Sequence, residues 1–141
     1  MNTLTLELSE RIIDAAIDKA REMDALPLTI AILDTGGHLK ALRREDAAST
    51  LRPDIAIAKA RGAIALGTSS RAIGDICQQR PAFYEALSSI APGDLIPAAG
   101  GVLIKNHDQA IIGAVGITGD NSDVDELCAI AGIEAVELVA R

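Results

Sequence analysis

LTIAILDTGGHLKALRR, residues 28–44, joins an apolar run, a glycine-bearing turn and an abruptly basic return. The Ile- and Leu-rich first part has the composition of a buried strand, and Asp34-Thr35-Gly36-Gly37 that of a tight turn, so the segment reads as a β-hairpin. On a period of two, His38, Lys40, Leu42 and Arg44 are expected on one face of the return strand, with Leu39, Ala41 and Arg43 on the other. Polar groups of one sign would then gather beside a rigid hairpin. That arrangement suits an anionic small molecule.

Working outward, Leu8, Ile12, Ile13, Ala16, Ile17 and Ala20 recur at the spacing of an amphipathic helix from Leu6 to about Met23, with Thr5 as its cap and Glu7 in its first turn. After a loop at 45–50, Pro53 suits the start of a second helix that Gly67 ends, and Gly62 within it points to tight packing. Pro81 divides two short helical patterns, 71–79 and 82–90. Residues 98–105 and 110–117 read as a second hairpin around the polar turn at 106–109. Asp123 and Glu126 have the spacing of a capping box for a last helix carrying Leu127, Ile130, Ala131, Val136 and Val139. Hairpins segregated from flanking helices predict one α+β domain, residues 1–141, with a mainly antiparallel sheet.

Apolar residues form 49% of the 141, yet there is one Phe, one Tyr and no Trp. The core must therefore be built from Ala, Ile, Leu and Val. So much small apolar surface predicts a homo-oligomer. A net charge of −7 without a basic stripe argues against nucleic acid. Every apolar run falls short of the roughly 18 residues of a membrane span. Cys77 and Cys128 form no Cys-x-x-Cys pair, so a disulfide framework is not expected. The amino terminus lacks the layout of an export signal, and a cytoplasmic location is expected.

Four ordered segments carry a resemblance over nearly the whole chain: residues 31–44, Ile-Ala-Ile-Ala-Lys-Ala at 55–60, Gly-Gly-Val-Leu-Ile at 100–104, and Ile-Gly-Ala-Val-Gly-Ile-Thr-Gly at 112–119 followed by Asp125-Glu126 and Ala131-Gly132. Together they resemble the GlcG/HbpS-type haem-binding family, which includes the carboxy-terminal domain of PduO-type proteins. The resemblance implies a profilin-like, five-stranded antiparallel sheet flanked by helices, symmetric assembly, and haem or another tetrapyrrole as ligand. Some members are linked to haem degradation or redox sensing, and many lie near catabolic genes.

Within that frame His38 is the expected contact to a tetrapyrrole, because a neutral imidazole can ligate haem iron. Arg43, Arg44 and Lys59 are candidates for gripping carboxylates, Lys59 most of all, since a lysine on an Ala- and Ile-rich helix needs an anionic partner or a route to water. Gly100 and Gly101 would let a ligand or a neighbouring backbone approach closely. The alternative is an isomerase, tautomerase or lyase without a cofactor, acting on a small carboxylate, in which Asp34, His38 or Glu126 moves the proton. A third reading is an accessory or scaffold protein. His107 reads as an exposed turn residue, and Gly113, Gly116 and Gly119 as close strand packing, since they lack the start of a nucleotide-binding loop.

Overall fold

Thr5 opens the first helix in a computed structural model that describes residues 3–140: its hydroxyl accepts from the Leu8 amide at 3.1 Å, and α1 (Leu6–Glu22) follows. Glu7 near its start and Lys19 and Arg21 near its end oppose the helix dipole, while Leu8, Ile12, Ile13, Ala16 and Ala20 are buried along one stripe. The first hairpin comprises β1 (Thr29–Leu33) and β2 (Leu39–Arg44). Pro53 stands in the first turn of α2 (Arg52–Leu66), and Gly67 ends it in the left-handed region at φ 67°. Ser69 caps α3 (Ser70–Gln79), and Pro81 begins α4 (Pro81–Ile90). Then come β3 (Gly101–Lys105), β4 (Ile111–Thr118), α5 (Ser122–Ala135) and the short β5 (Val139–Ala140).

The strands form one antiparallel five-stranded sheet in the order β2-β1-β4-β3-β5, the α+β architecture expected. Alternation sorts its two faces. Ile30, Ile32, Val102, Ile104, Val115 and Ile117 pack beneath α1 and α5, whereas Leu33, Leu103 and Ala114 meet Ala60 and Ala63 of α2. The α2 layer is thin because its contacts are small. A Cβ on Gly116 would collide with the Ala56 carbonyl and lie 2.9 Å from the Ala60 nitrogen. Glycine there sets how closely the helix rides on the sheet.

Four local expectations change. Leu33 pairs with Leu39 but Ile32 pairs with Ala41, so Lys40 is the extra residue of a β-bulge. Strict alternation fails there: Leu39 and Leu42 share the α2 side, and His38, Lys40, Leu42 and Arg44 do not form one row. The last helix is capped by Asn121, whose side chain accepts from Val124, not by an Asp123–Glu126 box. It also ends at Ala135. Glu137 takes φ 62°, the chain reverses, and Val139 pairs with Lys105 as an edge strand. Finally, β3 starts at Gly101, because residues 98 and 99 belong to the connection before it.

Candidate functional site

The β1–β2 turn is closed by Asp34. Its Oδ1 accepts from the amides of His38 and Gly36, each at 3.0 Å, and its backbone pairs with His38 and Gly37. The imidazole lies back over the turn with Nδ1 3.3 Å from Asp34 Oδ1, and a Cβ on Gly36 would meet that nitrogen at 2.8 Å. Glycine at 36 thus makes room for the ring. Nδ1 is turned toward a carboxylate while Nε2 makes no hydrogen bond among the described residues, the arrangement by which carboxylates orient metal-ligating imidazoles. The His38 side chain is 80% exposed. A recess of about 270 Å³ adjoins the turn on its Asp34 and Thr35 side, lined also by Thr3, Leu4, Lys40 and Ile112 but not by His38.

The His38 amide above all holds the Asp34 carboxyl below its ordinary value of 3.8; desolvation opposes it, and the Gly36 amide and the His38 ring add to the lowering. A carboxylate depressed on folding contributes stability above its unfolded pKa and loses it as pH falls through the lower folded value. Amide exchange or chemical shifts at Gly36 and His38 should therefore report a tight turn at pH 5 that loosens progressively below about pH 4. A turn equally ordered at pH 2 would show that Asp34 does not hold it.

The other candidates fall elsewhere. Arg43 points to α1, donating to Asp14 at 2.7 Å and Glu10 at 2.9 Å, so it clamps the edge strand to a helix. Arg44 lies on the opposite sheet face, where Nη1 donates to the Ala48 carbonyl at 2.9 Å. Neighbouring strand residues face opposite ways, so this pair cannot grip one carboxylate within a protomer. Lys59 is buried, with Nζ 2.9 Å from the Ile117 carbonyl and 3.3 Å from Asp125 Oδ2. Gly100 and Gly101 are the passage for it: a Cβ on Gly100 would stand 2.8 Å from Nζ, and the Gly101 amide is already donated to Ser70 Oγ at 2.7 Å. Glu126 accepts from Arg71 at 3.1 Å. His107 lies exposed in the second hairpin's turn, and Gly113, Gly116 and Gly119 all meet backbone at close range.

Asp34 and His38 are therefore brought together, as are Lys59 and the glycine pair; Arg43, Arg44 and Glu126 join neither cluster. Asp125, part of a matched segment, is not among the site residues expected from the sequence. Its signal was its spacing to Cys128, Ala129 and Gly132, which places a carboxylate on the buried stripe of α5. Burial raises its pKa while Lys59 and the Asp120 amide pull it back. Burial likewise pushes the Cys128 thiol up to about 11, so at neutral pH it packs as an inert thiol. The larger cleft, about 390 Å³, lies between α3 and the start of α5, lined by Arg71, Gly74, Cys77, Ala98, Ser122 and Asp123 among others. Arg71 spans its edge to Asp123 and Glu126, and its charge is used there.

A model of the family described as haem degrading protein HbpS-like matches residues 4–134. The chain belongs to the HbpS-like family. This agrees with the resemblance carried by its four segments. It is 28% identical over 132 residues to an uncharacterised 15.0 kDa protein of the dhaT-dhaS intergenic region of Citrobacter freundii, covering 94% of this chain and 91% of that one. It is 27% identical over 124 residues, 88% of this chain, to the corrinoid adenosyltransferase PduO of Salmonella typhimurium, spanning 36% of that protein. A crystal structure of a PduOC–haem complex superposes with a TM-score of 0.87 at 25% identity over 97% of both chains. In this HbpS-like chain, no helix among the described residues is long and apolar enough to cross a membrane.

Proposed function

We propose that this protein binds haem or a related tetrapyrrole, with His38 as the iron ligand, and acts as an oligomeric small-ligand-binding protein. The observation that carries the reading is end-to-end similarity to PduOC, a protein crystallised with haem. The residues at the first turn fit such a group: an imidazole whose Nε2 has no partner among the described residues, a carboxylate on Nδ1, and, in the recess adjoining Asp34, Lys40 for an acidic substituent with Leu4 and Ile112 as apolar lining. Bound haem would supply a redox-active, ligand-binding iron. The chain's own part is to orient the imidazole through Asp34 and to offer a cation beside it.

At 80% exposure His38 cannot enclose a macrocycle alone, so a second copy is the natural cover. Ile90 at 80%, Leu51 at 60% and Leu39 at 50% exposure supply apolar surface for assembly. Light scattering on purified protein should give a mass well above that of one chain.

Acid–base catalysis on a small carboxylate would draw on the same Asp34–His38 pair. It lacks the support that a haem-complexed structural neighbour lends the first reading. Titrating the protein with hemin separates the two readings. A saturable Soret shift is expected, lost in His38→Ala and weakened about tenfold in Asp34→Asn, which keeps the turn's acceptor oxygen but removes the charge on Nδ1. No saturable shift, or the same shift in His38→Ala, would overturn the reading.

A further inference from the structure

At the far end of β2 from His38, three adjacent strands present a row of polar side chains to α2. Arg44 stands opposite Thr29, and Thr29 opposite Thr118, so the three share one sheet face at neighbouring positions. From the first turn of α2, Arg52 Nη1 donates to Thr118 Oγ1 at 2.7 Å. The capping residue of that helix, Leu51, brings no side-chain acceptor. Thr29 is fully buried, and its Oγ1 has no hydrogen-bond partner among the described residues. Just beyond the row lies a recess of about 260 Å³ lined by Pro27, Ala48, Ser49, Arg52 and Gly119 among others.

The chain carries 20 acidic side chains against 13 lysines and arginines, and Arg21, Arg43, Arg61 and Arg71 each have a carboxylate within ion-pair distance. Among the described residues Arg44 and Arg52 make one side-chain hydrogen bond each, both to neutral oxygens, so most of their five N–H donors find no acceptor there. Lys59, close enough to feel the charge of Arg52, is already committed to Asp125. Arg44 and Arg52 thus flank the unsatisfied Thr29 hydroxyl with donor capacity to spare, while the first turn of α2 already carries the Asp54 carboxylate.

We propose that this end of the sheet binds a small oxyanion, a carboxylate or a phosphate, between Arg44 and Arg52, with the hydroxyls of Thr29 and Thr118 as further contacts. Planar guanidinium forks match such oxygens in pairs, and the Thr29 hydroxyl would gain the partner it lacks. The site is separate from the proposed haem ligand: six residues of extended chain put Arg44 about 20 Å from His38, so one macrocycle does not join them.

The test is calorimetric titration of the full chain with sodium phosphate and with sodium acetate, sodium chloride at matched ionic strength being the control. Saturable binding of phosphate, acetate or both is expected, and the preferred probe identifies the oxyanion. Arg44→Gln and Arg52→Gln should each weaken it at least about tenfold. Thr29→Val guards against misfolding as an explanation. It removes an unsatisfied buried group, so the variant should melt no lower than the parent, yet bind the anion several-fold more weakly. Hemin titration of Arg52→Gln should match the parent, which keeps this result separable from the haem reading. Binding no stronger than chloride gives, or affinity unchanged in Arg44→Gln and Thr29→Val, would overturn the proposal.

Discussion

Replacing Lys59 by Met is expected to destabilise the protein by about 4 kcal/mol at pH 7, the largest effect foreseen for one side chain. Lys59 and Asp125 expose only 4% and 1% of their side chains, so removing the ammonium strands a carboxylate in the interior. Burial lowers the pKa of the lysine and raises that of the aspartate, and each partner offsets part of the other's penalty. Without Lys59 the Asp125 pKa must rise further. A carboxyl whose folded pKa exceeds its unfolded value contributes stability at low pH and loses it as pH rises through the folded value. The deficit of Lys59→Met should therefore shrink on acidification from pH 7 to pH 5. Urea unfolding at both values checks this, with the double change Lys59→Met, Asp125→Leu expected to recover much of the loss. A deficit below about 1 kcal/mol, or one indifferent to pH, would mean that the pair does not brace α2 to α5.

Gly116→Ala should cost about 3 kcal/mol, because the new methyl would enter the space of the Ala56 carbonyl and crowd the Ala60 nitrogen. Those atoms are helix backbone, so relief requires lifting α2 from the sheet. Gly67→Ala is the control. Nothing lies within 4 Å of its Cβ position, and only its left-handed φ of 67° is strained, for about 1 kcal/mol. Equal losses in the two variants, read from denaturant midpoints, would contradict the close-packing account.

Much of this architecture is legible in local pattern. The 3.6-residue stripe and Thr5 cap of α1, the proline start and glycine end of α2, and both hairpins follow from propensities that act over a few residues. What the pattern misses depends on pairing. The extra residue Lys40 is visible only when β2 is laid against β1, and it alone separates His38 and Lys40 from Leu42 and Arg44. Val139 looks helical by spacing, but an edge of β3 stood open to it. The site is less legible than the fold for the same reason. Lys59 declares that it needs an anion, yet its partner lies 66 residues away on the other side of the sheet. Arg43 and Arg44, adjacent in sequence, serve opposite faces. Arg52 and Thr29 carry no signal until the register brings them to one corner.

The claim on which the functional account turns is that imidazole from His38 holds the iron of a bound haem. The chain has two histidines, His38 and His107, which makes the assignment clean. Resonance Raman spectra of the complex formed with hemin and then reduced to the ferrous state, recorded with natural and ¹⁵N-labelled histidine, report the iron–imidazole stretch directly. The account predicts an isotope-sensitive band that survives His107→Ala and vanishes in His38→Ala. A complex whose spectrum ignores the label, or whose band depends on His107, would contradict it.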